Sequence, residues 1–151
     1  MKKLFDYPIV LVVVLAVAMW GVGEFIPLFQ TSFEYQKRMA IFLLGVGFLM
    51  IGVAGYLFRK AHTTVNPETP EKSTYLVTYG PYKLSRNPMY IGFLLWLMAW
   101  AIWIGSLLNI VFLVAFVLLV NRLYIAREER ALHQLFGQEF EAYVRKVRRW
   151  I

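Results

Sequence analysis

Four long blocks of apolar residues, separated by polar segments, dominate the sequence. They cover residues 8–29, 39–58, 89–104 and 107–120. At a rise of about 1.5 Å per residue, the longer blocks are sufficient to cross a hydrocarbon core roughly 30 Å thick. Only Gly105 and Ser106 separate the last two blocks, which predicts a tight helical hairpin. The pattern therefore predicts an all-α integral membrane domain, a single domain over residues 1–151, with four transmembrane helices.

The pattern changes after the fourth block. Residues 121–135 contain neither Gly nor Pro and are rich in helix-forming residues, so the fourth helix is expected to continue out of the membrane until Gly137 ends it. Over residues 138–151, apolar side chains recur at helical spacing opposite a basic face, and this predicts an amphipathic helix lying in the membrane interface. Its apolar side comprises Phe140, Tyr143, Val144, Val147 and Ile151.

The longest polar segment, residues 59–89, separates the second and third blocks. Its second half is too apolar for a free linker, because Leu76, Val77, Tyr79 and Tyr82 all occur there. A loop of this length is usually functional or disordered. We expect it to fold into a cap on the membrane surface.

Small residues in the second block suggest a site of close helix packing. Gly45 and Gly52 are seven residues apart and share one helix face, with Gly47 and Gly55 nearby. Small residues allow a neighbouring helix to approach, so this stripe is expected to pack against another helix.

Composition supports the membrane assignment. Hydrophobic residues make up 60% of the chain and the mean hydropathy is +0.57, whereas soluble domains are about 45–50% apolar. The absence of cysteine excludes disulfides, thiol nucleophiles and thiolate metal sites. With only two histidines, in unlike contexts, we expect no metal site. The net charge of +7 is expected to favour lipid headgroups, with no nucleic acid partner.

The distribution of Lys and Arg predicts the orientation. If four spans are correct, both termini and the long loop share one side, which carries 14 of the 16 basic residues, leaving Lys37 and Arg38 on the other. Positive charge marks the cytoplasmic side. The protein is thus expected in an inner or plasma membrane of bacterial or archaeal type with cytoplasmic termini, and residues 61–92 and 121–151 are expected to meet there.

A candidate site emerges from these two segments. Arg86 and Asn87 precede the third apolar block, beside Tyr82 and Tyr90, and Glu128 and Glu129 lie on the extension of the fourth helix. An arginine suits an anionic group, a carboxylate suits an ammonium, and aromatic rings suit a flat base or an onium centre. The set is therefore complementary to a zwitterionic or cationic metabolite. A serine–histidine pair for acyl transfer and a phosphate-binding glycine loop are lacking.

These residues carry a resemblance to a known family. The run Arg-Asn-Pro-Met-Tyr-Ile-Gly at residues 86–92 and the run Glu-Glu-Arg-Ala-Leu at residues 128–132 resemble the paired signature of the isoprenylcysteine carboxyl methyltransferase family. That signature is broadly Arg-His-Pro-x-Tyr-x-Gly followed by Glu-Glu-x-x-Leu. The similarity extends over roughly residues 63–151.

The resemblance implies an integral membrane methyltransferase that uses S-adenosylmethionine. Among the residues present, Arg86, Arg127 and Glu129 are the candidates for catalysis, with Arg86 or Arg127 expected to orient an acceptor carboxylate. Which glutamate faces the cofactor is left open. The residues expected around the cofactor are Tyr79, Gly80, Tyr82, Arg86, Asn87, Tyr90, Gly92, Glu128 and Glu129.

Asn87 departs from the resembled pattern, which has histidine there. An asparagine retains a hydrogen-bond donor but cannot act as a base, so a proton-transfer role at this position is in doubt and cofactor binding is not.

The methyl acceptor is expected to be a lipophilic small molecule: the carboxylate of a prenylated thiol compound, a lipid amine or a thiol. Two alternatives remain, a nicotinamide-dependent membrane reductase and a non-enzymatic scaffold or transporter subunit. The reductase predicts binding of NADPH, whereas the scaffold predicts tolerance of changes at Arg86 and Glu129. The sequence leaves the oligomeric state open.

Overall fold

In a computed structural model, which describes residues 7–26, 29–61 and 75–151, the chain is all-α, as the apolar pattern predicts. The described residues form five helices. These are α1 (Pro8–Phe25), α2 (Gln36–Lys60), α3 (Pro88–Ile104), α4 (Leu107–Phe136) and α5 (Gln138–Lys146). Residues 62–74 of the predicted cap lie outside the described residues.

Three of the helices, α1, α2 and α4, are long and apolar enough to cross a membrane, with 18, 25 and 30 residues. Helix α3 is equally apolar but has 17 residues, about 26 Å at the usual rise, slightly less than a hydrocarbon core of roughly 30 Å. The protein is an integral membrane protein with three candidate spans and one shorter apolar helix.

Helix α4 continues without a break, as the sequence predicts. A 3-10 turn (Leu107–Asn109) and an α-helical stretch (Ile110–Val120) lead into a π-helical segment (Asn121–Ile125), after which Ala126–Phe136 is again α-helical. Gly137 ends it at φ +47°. The π-helical segment immediately precedes the acidic pair, and such segments are frequent at functional sites.

The core lies between α1, α3 and α4. Met19, Leu97 and Phe116, one from each helix, are fully or almost fully buried. Helix α2 packs against α3 where Gly47 faces Gly92, so close that a Cβ at either would lie within 3 Å of the other's carbonyl oxygen. These contacts hold the start of α3, and with it the candidate site, in place.

The predicted glycine stripe is wrong in its membership. A Cβ built at Gly45 or Gly52 would meet nothing within 4 Å among the other described parts of the chain, and Gly47 makes the close contact instead. The spacing predicted a shared face but could not show which face α3 covers.

Two predicted helix ends are also wrong. Helix α1 ends at Phe25, not at residue 29, because Ile26 leaves the helical conformation and Phe29 has φ +58°. Helix α5 ends at Lys146, and Val147 is extended, with φ −125° and ψ 130°. Residues 147–151, here called the C-terminal tail, run back towards the start of α3.

The apolar side of α5 faces the protein. Phe140, Tyr143 and Val147 are buried together with Leu76, in contact with Leu132 of α4. These three residues therefore pack against protein, and the position of the helix in the membrane interface stays a prediction. The same contacts bury Leu76, so the described end of the long polar loop is folded, as its apolar residues predict.

Candidate functional site

A tight turn brings Arg86 and Asn87 to the beginning of α3. Gly80 opens a 3-10 turn at φ +64°, a conformation that favours glycine. Pro88 occupies the first turn of α3, where its missing amide proton costs no helical hydrogen bond. The Ser85 hydroxyl accepts a hydrogen bond from the backbone N–H of Asn87 at 3.0 Å. Both polar residues thus lie where the sequence predicts.

Glu129 forms ion pairs with both Arg86 and Arg149. Nη2 of Arg86 lies 2.6 Å from Oε1 of Glu129, and the two side chains are 11% and 21% exposed. Arg149 donates from Nη2 to Oε2 at 2.5 Å and from Nε to Oε1 at 3.1 Å. Because two guanidinium groups share one carboxylate, the cluster has a net positive charge and is suited to a further anion.

Glu128 faces a different neighbour. The hydroxyl of Tyr90 donates to Oε1 of Glu128 at 2.6 Å, and the ring of Tyr90 lies 6.2 Å from that of Tyr124. Successive residues of a helix point about 100° apart, so Glu128 turns towards α3 whereas Glu129 turns towards the arginines. The predicted site is therefore divided into two adjacent halves, one containing each glutamate.

The C-terminal tail contacts Arg86 through two backbone carbonyl groups. The backbone N–H of Arg86 donates to the carbonyl of Arg148 at 3.0 Å. Its Nη1 donates to the carbonyl of Val147 at 2.7 Å. The guanidinium of Arg86 is therefore held by both the tail and Glu129.

Asn87 is a hydrogen-bond donor to the same tail. Its Nδ2 donates to the carbonyl oxygen of Arg149 at 2.8 Å, and the Ser85 hydroxyl donates to that oxygen at 3.1 Å. Asn87 is 9% exposed and Ser85 is 1% exposed, so these bonds are shielded from water. The task of Asn87 here requires a donor and no base.

Tyr82 and Tyr79 lie in the turn beside α2. Tyr82 is buried, and Tyr79 packs against its cluster. The hydroxyl of Tyr143 donates to the carbonyl of Tyr82 at 2.7 Å. Burial raises the pKa of the Tyr82 and Tyr143 phenols above the usual range, because an interior with few water contacts disfavours the phenolate. Both hydroxyls therefore stay protonated at neutral pH.

The remaining predicted residues are Gly80, Gly92 and Arg127. A Cβ at Gly80 would lie 2.7 Å from Leu57 of α2, so this glycine allows the turn to approach that helix. Gly92 lies at the α2–α3 contact. Arg127 is exposed on α4.

A cavity of about 530 Å³ adjoins the ion pair, between α4 and α5. This volume is within the range of about 300 to 1,000 Å³ that is usual for small-molecule sites. Ten residues line it: Arg86, Ala126, Glu129, Arg130, His133, Phe140, Glu141, Val144, Arg145 and Arg149. It combines an arginine-rich wall with the aromatic ring of Phe140.

Sequence reasoning missed Arg149 and Ser85. The charge pattern placed Arg149 on the basic face of a continuous helix, together with Arg145 and Arg148. One signal was available: Trp150 is a large aromatic residue in a basic terminal run. Its Nε1 donates to Oδ1 of Asn121 at 3.1 Å, and its ring packs on the core.

An apolar helical bundle with a charged cluster and an adjoining cavity defines an integral membrane protein with a candidate small-molecule site. The chain belongs to the phospholipid methyltransferase family, which matches residues 35–139. Members of this family of membrane methyltransferases use S-adenosylmethionine as methyl donor. The resemblance to isoprenylcysteine carboxyl methyltransferases is confirmed by the relatives.

Three relatives illustrate the match. An uncharacterised protein of Haemophilus influenzae is 44% identical over 63 residues, 42% of this chain and 100% of that protein. A probable protein-S-isoprenylcysteine O-methyltransferase of Oryza sativa subsp. japonica is 41% identical over 75 residues, 48% of this chain and 38% of the relative. Protein-S-isoprenylcysteine O-methyltransferase A of Arabidopsis thaliana is 35% identical over 112 residues, 67% of this chain and 55% of the relative. The chain thus spans about half the length of the plant relatives or less. No solved structure matches it.

Proposed function

We propose that this protein is an S-adenosylmethionine-dependent methyltransferase that modifies a lipophilic small molecule in the membrane. The observation that carries the proposal is the contact between Arg86 and Glu129. These residues are 43 positions apart in sequence, with 2.6 Å between their side chains, and both lie in the part of the chain matched by the family. The two signature segments therefore meet in space.

The cluster fits the amino-acid end of the cofactor, which carries a carboxylate and an ammonium group. Nε of Arg86 is buried and has no hydrogen-bond partner among the residues that the structure describes. A buried donor without an acceptor is unusual, and a carboxylate supplies one. Glu129 can accept from the ammonium group. Cofactor binding then replaces the ion pair between Arg86 and Glu129 with two ion pairs to the ligand, one made by each residue.

The chain's own residues are proposed to bind and align. Arg86 holds the carboxylate and Glu129 the ammonium, while Tyr90 presents its aromatic ring and Glu128 its carboxyl oxygens to a cationic centre. When bound, S-adenosylmethionine supplies a methyl group on a positively charged sulfur. Because transfer from such a donor depends on alignment and on exclusion of water, the proposed mechanism needs no base at Asn87.

The other predicted residues support this arrangement. We propose that four of them shape the turn and the α2–α3 contact that hold Arg86 and Tyr90: Tyr79, Gly80, Tyr82 and Gly92. Asn87 fixes the junction between that turn and the tail. Arg127, on the same extension as the glutamates, is proposed to orient an acceptor carboxylate, because Arg86 is already assigned to the carboxylate of the cofactor.

The acceptor is proposed to be lipophilic and to enter from the bilayer. The names of the plant relatives favour a carboxylate acceptor, and the family name favours a lipid amine; a thiol is the third class. With α3 counted as a fourth transmembrane helix, both termini lie on one side. We propose that this side is cytoplasmic, because basic residues are concentrated there and the water-soluble cofactor is available in the cytoplasm.

Calorimetry on the detergent-purified protein tests the proposal. S-adenosylmethionine and its demethylated product are expected to bind wild type, whereas NADPH is not. Arg86→Ala and Glu129→Gln are each expected to weaken binding by about tenfold or more, since a hydrogen bond to a charged group contributes about 1.5–3 kcal/mol.

The outcomes are separable. If wild type binds neither adenosyl ligand, the methyltransferase proposal fails, and binding of NADPH alone would identify a reductase. If wild type binds but both variants bind equally well, the site lies elsewhere.

A further inference from the structure

The C-terminal tail lies beyond residues 35–139, the part of the chain that the family matches, yet it contacts the centre of the candidate site. We propose that Arg149 is a positioning residue that fixes the Glu129 carboxylate for cofactor binding, and that the tail is a third component of the site. This inference rests on the proposed function, because it assigns Arg149 a task towards the same cofactor.

The geometry of Arg149 is suited to fixing a carboxylate in both position and orientation. Its Nη2 and Nε contact the two different oxygens of Glu129 at 2.5 and 3.1 Å. Arg86 contacts only Oε1. The terminal torsion of a glutamate has broad preferences, so a contact to one oxygen leaves the carboxylate free to rotate. A planar fork that binds both oxygens removes that freedom.

Hydrogen bonds of Arg149 and of its neighbour Trp150 fix the position of Arg149 in the tail. On one side, the carbonyl of Arg149 accepts hydrogen bonds from Asn87 and Ser85. On the other, the next residue, Trp150, donates to Asn121 in the π-helical segment at 3.1 Å. Asn121 and Glu129 belong to the same helix, α4. Arg149 is therefore anchored to the element that carries the carboxylate it orients.

Loss of the Arg149 guanidinium should act on the cofactor and not on the acceptor. Glu129 is proposed to hold the ammonium group of the cofactor, so a mobile carboxylate raises the KM for S-adenosylmethionine. The KM for the acceptor should stay unchanged. A merely structural role would lower the stability of the fold and impair both substrates together.

Arg148 provides a matched control. It is the preceding residue, carries the same charge and has an exposed side chain, and only its backbone carbonyl contacts Arg86. Arg148→Met therefore removes one positive charge from the tail and keeps that hydrogen bond. Comparison with Arg149→Met separates the effect of position from the effect of net charge.

The experiment measures the Kd of the demethylated cofactor product for the purified full chain by calorimetry, with thermal unfolding in the same detergent. Arg149→Met is expected to weaken binding about tenfold, on the scale of one charged hydrogen bond. Arg149→Lys is expected to recover part of the loss, since it restores charge without the fork. Arg148→Met should stay within about twofold of wild type, as expected for an exposed charge.

Several results would overturn the inference. Wild-type affinity in Arg149→Met would exclude a positioning role. Equal weakening in Arg148→Met and Arg149→Met would show that only net charge matters. If Arg149→Met does not fold, wild-type affinity in a folded Arg149→Lys overturns the need for the fork. If wild type itself does not bind, the proposed function fails and the inference falls with it.

Discussion

Asn87 occupies the position where the resembled signature has histidine. In the structure its side chain donates to the backbone carbonyl of Arg149 at 2.8 Å, from a buried position. A histidine carries an N–H that can serve the same purpose. The departure from the signature therefore preserves a structural hydrogen bond, and the methyl transfer proposed here needs nothing more from this residue.

We expect Asn87→Asp to be much worse than Asn87→His. Aspartate has nearly the same shape but no N–H when ionised, so the carbonyl of Arg149 keeps only the hydrogen bond from Ser85, and the buried aspartate carboxylate faces that carbonyl without a donor. Leaving a buried polar group unpaired costs about 1–3 kcal/mol. Denaturant unfolding in detergent measures this loss. Equal stability of the two variants would contradict the assigned role.

Tyr143 gives a prediction for alkaline pH. Burial raises its pKa above the usual value, so the folded state retains the phenolic proton at a pH where the unfolded chain loses it. Its contribution to stability is fully present below about pH 10, the usual tyrosine pKa, and falls as the pH rises above that value. Tyr143→Phe should therefore lose less stability between pH 9 and pH 11 than wild type, on the scale of about one proton linked to unfolding.

The neutral-pH comparison is the control for this variant. There Tyr143→Phe lacks the hydrogen bond to the carbonyl of Tyr82 and should be less stable by about 1 kcal/mol. Parallel pH profiles of the two proteins would show that Tyr143 does not titrate as proposed.

At the residue scale, the sequence reveals charge and motif but not the path of the backbone. Arg86 and Glu129 could be paired in advance because each lies in a signature segment. Arg149 could not, because Arg145, Arg148 and Arg149 have the same charge and similar neighbours. Because α5 ends at Lys146, the backbone of the tail directs Arg149 towards Glu129 and leaves Arg148 exposed.

Helices α2 and α3 approach so closely at Gly92 that there is no room for a larger side chain. A Cβ at Gly92 would lie 2.5 Å from Cγ1 of Ile51 and 2.9 Å from the carbonyl oxygen of Gly47. The neighbouring backbone cannot yield without moving a helix. Glycine is therefore required at this contact by close packing.

We expect Gly92→Ala to destabilise the protein by about 1–3 kcal/mol, the usual cost of overpacking. Gly45→Ala is the matched control on α2, since a Cβ there would meet no atom of the described residues within 4 Å outside its own helix. It should be neutral or up to about 1 kcal/mol stabilising, because alanine favours the helix. Thermal unfolding of both variants in one detergent checks the difference. A Gly92→Ala variant as stable as Gly45→Ala would contradict the packing.

At the element scale, the existence of the helices followed from apolar blocks of the right length. The ends of the helices were predicted less accurately from the sequence. The amphipathic spacing continues to residue 151, yet α5 ends at Lys146 because the tail makes its backbone hydrogen bonds with Arg86, Ser85 and Asn87 instead. Tertiary contacts of this kind have no local signal.

For the whole molecule, the orientation in the membrane is the main expectation still to be tested. The chain has no cysteine, so single cysteines can be introduced without background. Glu34, between α1 and α2, and Lys146, at the end of α5, are both exposed and are expected on opposite sides.

A membrane-impermeant maleimide is expected to label Lys146→Cys only from the cytoplasmic side and Glu34→Cys only from the other side. The reason is the excess of Lys and Arg around both termini. Labelling of both positions from one side would contradict four spans. Reversed labelling would retain the spans and invert the orientation.

The uninterrupted length of α4 has a mechanical consequence. At 30 residues it is about 45 Å long, well beyond a hydrocarbon core of roughly 30 Å, and Glu129 lies on the part beyond its apolar half. A rigid rod seated in lipid transmits its tilt to whatever it carries. Since a thinner bilayer increases the tilt of a spanning helix, we expect the height of the carboxylate above the lipid surface to depend on acyl chain length.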